Sequence, residues 1–318
     1  MSQNPFSLKV KIYTWSAVIL IGIALLLRIA NFTFAFDPEV GYFDPFPTHV
    51  AYGAILIMTV LWLLTSLIFI PQYSFTIDIR PETGRASRVC ALVCAAVSAA
   101  TSLFFFECST YYAHHAKLYV LTALFSLLAA IYFALRFIGD TSPEHHVLSG
   151  YLLLVWLGMI LAATYLNLYV QMNSPFKITF HFALAAMMFH VFEDVRMLVK
   201  KRFRIAYYAY TLIAVLLCGM ASVPVLFAYA IGAWHEPDYL LYGTLSLSFT
   251  CYLCARAHDT YKLLMKTPVA TEEEIAADRE KKRLEKEKQK QKKKKKGADA
   301  QKTQGTENSK EGDDKHVS

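Results

Sequence analysis

Four ionisable residues, His190, Glu193, Asp194 and Arg196, fall close together in one apolar stretch. A histidine titrates near neutral pH, and charged groups inside a membrane are costly enough to need a purpose. On a helix, Glu193 and Asp194 lie within one turn of His190, and Arg196 is three residues beyond Glu193, so the stretch can pair its own charges. Proton-relay or ion-site chemistry would need partners from other helices. His145, His146, His258 and Asp259 are expected on the same side, whereas an interfacial charge network near Lys200–Arg204 needs no convergence at all. A second set is Arg28, followed by a loop carrying Asp37, Glu39 and Asp44. Here the expectation is an arginine–carboxylate pair, the alternative being an arginine that snorkels to the headgroups. Pro38 and Pro45 stop helices and Gly41 permits a tight turn, so this loop should be compact.

Catalytic markers are missing from the sequence. It has no Gly-x-Ser-x-Gly, His-Glu-x-x-His, Walker loop or Gly-x-Gly-x-x-Gly, so no catalytic residue, cofactor or metal is assigned from it. His49, His114, His115, His181 and His235, with Glu107, Glu236 and Asp238, could offer metal ligands, but they lack the helical pair spacing of a metal site. Tyr111–His115 reads as an interfacial aromatic belt. Cys251-x-x-Cys254 has no second pair and lies inside an apolar run, where cysteine behaves as a small hydrophobe.

The elements that must position these groups follow from charge and hydropathy. The chain has 318 residues, 55% hydrophobic and 18% charged, with a formal net charge of +7. Residues 266–318 hold 16 Lys/Arg and 12 Asp/Glu, about half of all the charges, which leaves the first 265 residues far less charged than a soluble domain. A soluble enzyme and a mostly disordered chain are both excluded. Eight apolar segments reach the ~20 residues needed to cross a bilayer, at approximately 12–30, 49–70, 89–107, 118–138, 147–170, 177–199, 205–231 and 239–257. Their apolar residues fill every face, as for helices with lipid or other helices on all sides, and the runs are too long for barrel strands. The expected fold is therefore all-α, a polytopic transmembrane helical bundle of about eight spans. A cytoplasmic N-terminus at residues 1–11 puts 13 span-flanking Lys/Arg inside and three, Arg28, Lys117 and Lys177, outside. Both termini are then cytoplasmic, the first span is an uncleaved anchor, and Pro224 is a plausible break in the seventh span.

After Pro268 the composition changes. Thr271 and Glu274 form a capping box, acids precede lysines, and the spacing predicts a charged helix within 263–296 followed by a disordered tail at 297–318. Residues 279–296 contain 12 Lys/Arg and three acids, ending in Lys292, Lys293, Lys294, Lys295 and Lys296. On the cytoplasmic side this run suits anionic lipid headgroups or RNA, or it simply keeps the terminus solvated.

Arg28 with Asp37-Pro38-Glu39-Val40-Gly41-Tyr42-Phe43, and the later Phe192-Glu193-Asp194-Val195-Arg196, resemble a set of uncharacterised multi-pass membrane proteins of anaerobic Gram-positive bacteria. That resemblance implies a bacterial plasma membrane and no particular activity. Three function classes follow. A non-enzymatic sensor, scaffold or assembly factor fits the few intramembrane charges and the interaction-prone tail. A small-solute or ion transporter would need His190, Glu193 and Asp194 to face water. A membrane-embedded enzyme would need histidines and carboxylates converging from at least two helices.

Overall fold

The computed structural model describes residues 5–37, 42–69, 83–111, 115–139, 142–166, 174–200, 205–232 and 237–266, together with 280, 283, 284 and 287. At 5–7, 37, 42, 66–69, 200, 205, 206 and 237 the backbone alone is described. The chain divides into two units, Met1–Thr267 and Pro268–Ser318.

Among the described residues of the first unit there are eight helices: α1 (Pro5–Ala35), α2 (Pro45–Phe69), α3 (Arg85–Tyr111), α4 (Ala116–Ile138), α5 (Pro143–Leu166), α6 (Pro175–Lys200), α7 (Ile205–Ala230) and α8 (Pro237–Lys266). The protein is all-α, a helical bundle. Five of these helices begin on proline, whose fixed φ suits the first turn and whose missing N–H would have no partner there. α2 adds an N-cap, with Asp44 Oδ1 accepting the Phe46 N–H at 3.1 Å. α4 stops at Gly139, whose φ of +81° suits glycine, and its N–H donates to Leu135 O at 3.0 Å. α7 runs on through Pro224, so this proline does not break the helix.

Two short strands, β1 (Phe36–Asp37) and β2 (Tyr42–Phe43), pair antiparallel between α1 and α2. They give the expected compact turn a backbone, and the rings of Phe32, Phe36 and Phe43 pack together beneath it at 4.9–5.7 Å.

Helices α3 to α8 pack in sequence, and α8 closes back onto α3, which makes a ring of six helices. α1 lies against α7 and α8 outside the ring, and α2 packs on α1. Short loops favour this order, because antiparallel neighbours are joined most simply. The ring is filled by Tyr132, Phe133, Leu153, Trp156, Met187, Phe249 and Tyr252, all buried. α3 turns Ala91, Cys94, Ala95, Ser98, Thr101 and Ser102 inward, small residues that let membrane helices approach closely. At Gly150 a Cβ would collide with Val195 Cγ2, so α5 and α6 touch backbone to side chain there. A second cluster, including Tyr13, Ala17, Trp62, Tyr208 and Leu212, joins α1 and α2 to α7, with Tyr13 and Trp62 stacked at 4.7 Å.

Leu56, Ile57, Val60, Leu61 and Leu64 of α2 are exposed, an apolar surface that water would not tolerate and lipid does. Six helices, α1 to α5 and α7, are long and apolar enough to cross a membrane, and on that basis the chain is a membrane-embedded protein. α6 and α8 have comparable lengths but carry more polar residues, including Glu193, Asp194 and Arg256, which they bury within the bundle. In the second unit the described residues Glu280, Arg283, Leu284 and Glu287 are helical, and Arg283 Nε lies 3.3 Å from Glu287 Oε1. Residues 263–266 of the expected charged helix belong to the end of α8, and the rest of it, with Lys292–Lys296, lies outside the described residues, as does the expected tail at 297–318.

Candidate functional site

The sixth-helix residues singled out by sequence divide between two kinds of partner. Glu193 pairs within the helix, its Oε1 accepting from Arg196 Nη1 at 3.0 Å. Asp194 points away from that local pair. Its Oδ2 is held by Arg136 of α4 and accepts from Tyr132 Oη at 3.0 Å, and its Oδ1 lies 3.5 Å from Arg256 Nη2 of α8. All three charged groups are buried, Arg136 at 7%, Asp194 at 2% and Arg256 at 1% exposure.

Arg256 also donates from Nε and Nη2 to Tyr207 Oη of α7, at 3.3 and 3.2 Å. The Tyr207 ring lies 5.1 Å from the His190 ring, and the Tyr252 ring flanks that histidine at 6.4 Å. His190 Nδ1 is 3.1 Å from Thr211 Oγ1. The Thr211 hydroxyl already donates to Tyr207 O at 2.7 Å, so its oxygen accepts and His190 Nδ1 carries the proton. The polar centre thus draws Tyr132 and Arg136 from α4, His190 and Asp194 from α6, Tyr207 and Thr211 from α7, and Tyr252 and Arg256 from α8. Chemically it is a carboxylate clamped by two guanidiniums, backed by tyrosines. Such a cluster is costly to form in an apolar interior and still costlier to leave half-paired.

The other sequence candidates do not join it. His145 and His258 are exposed, and His145 Nδ1 is 2.9 Å from Ser142 Oγ. His146 is buried near the start of α5. Asp259 serves α3 instead, its Oδ2 accepting from Gly84 N at 2.8 Å and Ser87 Oγ at 2.5 Å. This is an N-cap supplied by another helix. Asp259→Ala should cost about 1–2 kcal/mol, the value of a lost cap, and should raise hydrogen exchange first at the start of α3.

At the opposite end, Arg28 is fully buried and does not snorkel. Its Cζ lies 5.2 Å from the Phe32 ring centroid and 4.7 Å from that of Tyr52. The expected pair with Asp44 does not form, because that carboxylate is exposed and caps α2. The side chain of Asp37 and all of Glu39 lie outside the described residues. His49 contacts Pro45 O, and His181 Nε2 is 2.9 Å from Thr164 Oγ1; no group of three His, Cys, Asp or Glu suited to a metal occurs among the described residues.

Sequence reading missed Arg136, Arg256 and the tyrosines. Both arginines look like ordinary flanking charges in a linear sequence. Their signal lies only in the apolar residues that continue beyond them, Phe137 and Ile138 after Arg136 and Ala257 after Arg256. No protein-family model, curated protein or solved structure matches the chain.

Proposed function

We propose that this chain is a non-enzymatic sensor or scaffold of the bacterial plasma membrane, with both termini cytoplasmic. The observation that supports this reading is the engagement of Asp194. A carboxylate that carries protons or cations must exchange its partner during the cycle, whereas both oxygens of Asp194 are held by fixed groups of two other helices. That arrangement favours holding α4, α6 and α8 in one register. It also leaves histidine and carboxylate on a single helix, short of the convergence an acid–base enzyme needs. The lysine-rich run at 292–296 then supplies contact with anionic headgroups, worth ~1 kcal/mol per lysine near the surface.

The test compares proteoliposomes with cells. Proteoliposomes of the purified chain should pass protons, sodium and potassium no faster than empty vesicles, read with pH- and ion-sensitive dyes. Cross-linking in the native membrane should give a discrete adduct that a chain ending at Thr267 loses. Ion flux above the empty-vesicle level that Asp194→Asn abolishes would replace this reading with a transporter.

A further inference from the structure

We infer that Arg28 and Asn31 form a binding site for a singly charged anion, a carboxylate group or a halide, at the end of the bundle that carries the β1–β2 hairpin. Arg28 and Asn31 are three residues apart on α1 and therefore share a face. Both are buried, Arg28 at 0% and Asn31 at 5% exposure. Among the described residues, Arg28 Nε and Nη1 and Asn31 Nδ2 have no hydrogen-bond partner. All three atoms are donors. Around them, Asn31 Oδ1 accepts from Thr48 Oγ1 at 3.1 Å, and the Tyr52 hydroxyl donates to Pro175 O at 3.0 Å and lies 2.6 Å from Thr179 Oγ1.

The charge points the same way. No ion pair involves Arg28 among the described residues, where two aromatic rings lie beside a whole positive charge that is removed from water. Cation–π contact compensates a buried guanidinium only in part. A guanidinium's N–H bonds lie in its plane and are directed outward, where they need an acceptor that a ring does not supply in full. One uncompensated positive charge and a donor-only set call for one negative charge with lone pairs. A divalent anion would leave an excess negative charge in the same apolar setting. Access is short, since Thr48 lies in the first turn of α2, where Phe46 and His49 are exposed.

Equilibrium binding of [14C]acetate and of [36Cl]chloride to the detergent-purified full-length chain tests the proposal, with variants first checked for a wild-type unfolding profile. Wild-type protein should bind one of these saturably at one site per chain, and the two arms separate the carboxylate from the halide. Arg28→Met should abolish that binding. Asn31→Asp places a carboxylate beside Arg28 from within the chain, so it should also abolish binding and should raise the unfolding midpoint without added anion. Saturable binding that survives Arg28→Met would overturn the site, as would wild-type protein that binds neither anion. If binding is absent in the wild type and emerges in Glu39→Gln or Asp37→Asn, a carboxylate of the chain itself occupies Arg28, and the external ligand is equally overturned.

Discussion

Asp194→Asn should lower the stability of the bundle by about 3–5 kcal/mol, the usual cost of breaking a buried ion pair from one side. The substitution keeps the shape of the side chain but removes its charge, and it leaves the guanidiniums of Arg136 and Arg256 facing each other across an apolar ring. The loss comes from those stranded charges more than from the missing attraction. The triple replacement Arg136→Met, Asp194→Leu and Arg256→Met should therefore recover more than half of the loss, although Tyr132 and Tyr207 give up partners. Unfolding of the purified protein in detergent, followed by tryptophan fluorescence, measures both. A triple variant less stable than Asp194→Asn would mean that the network contributes net stability, against this account. A triple variant that folds but no longer gives the cross-linked adduct would separate the functional role of the centre from its structural one.

Why the helices were legible in the sequence and the centre was not has a physical explanation. Apolar length is a local property, and a bilayer imposes a similar length on every span, so long apolar runs can be seen without knowing their neighbours; six of the eight helices are long and apolar enough to cross a membrane. Helix starts were less so: Pro45 reads in the sequence as a helix stop, yet it opens α2, because a proline at the first position gives up no hydrogen bond. The pairing of Asp194 with Arg136 and Arg256 is not local: its members are 58 and 62 residues apart and meet only because the six-helix ring brings α4, α6 and α8 together. In sequence, Asp194 has a nearer cation in Arg196, and Glu193 takes it. Two adjacent carboxylates point about 100° apart on a helix, so one faces along the helix surface and the other into the bundle. Arg28 was legible as a residue needing an explanation, yet its surroundings were not, since Tyr52 reaches it from another helix. The hairpin's strands, two residues each, fall below any periodic signal.

Trp156→Ala should cost ~3 kcal/mol, the lower end of the range for removing a large buried aromatic side chain. Trp156 is fully buried at the centre of the ring, its indole Nε1 donates to Ser126 Oγ of α4 at 2.5 Å, and its ring meets Phe249 of α8 edge-on at 6.3 Å. One side chain of α5 thus touches two other helices. Lipid tails are as apolar as the bundle interior, so little of the cost comes from transfer out of water. It comes from lost dispersion contacts and from a void that three rigid helices cannot close, with the Ser126 hydroxyl losing a partner as well. Trp156→Phe keeps most of the volume and loses the hydrogen bond, so it should cost only about 1–2 kcal/mol. If the two variants lose stability equally, the hydrogen bond to Ser126 dominates and packing is secondary. If neither changes the unfolding midpoint, the ring of α3 to α8 does not close around Trp156. Because Phe249 meets both Trp156 and Phe133, and Phe133 meets Tyr132, Trp156→Ala should also loosen the Tyr132–Asp194 hydrogen bond, and a double-mutant cycle with Asp194→Asn should show coupling beyond about 0.5 kcal/mol.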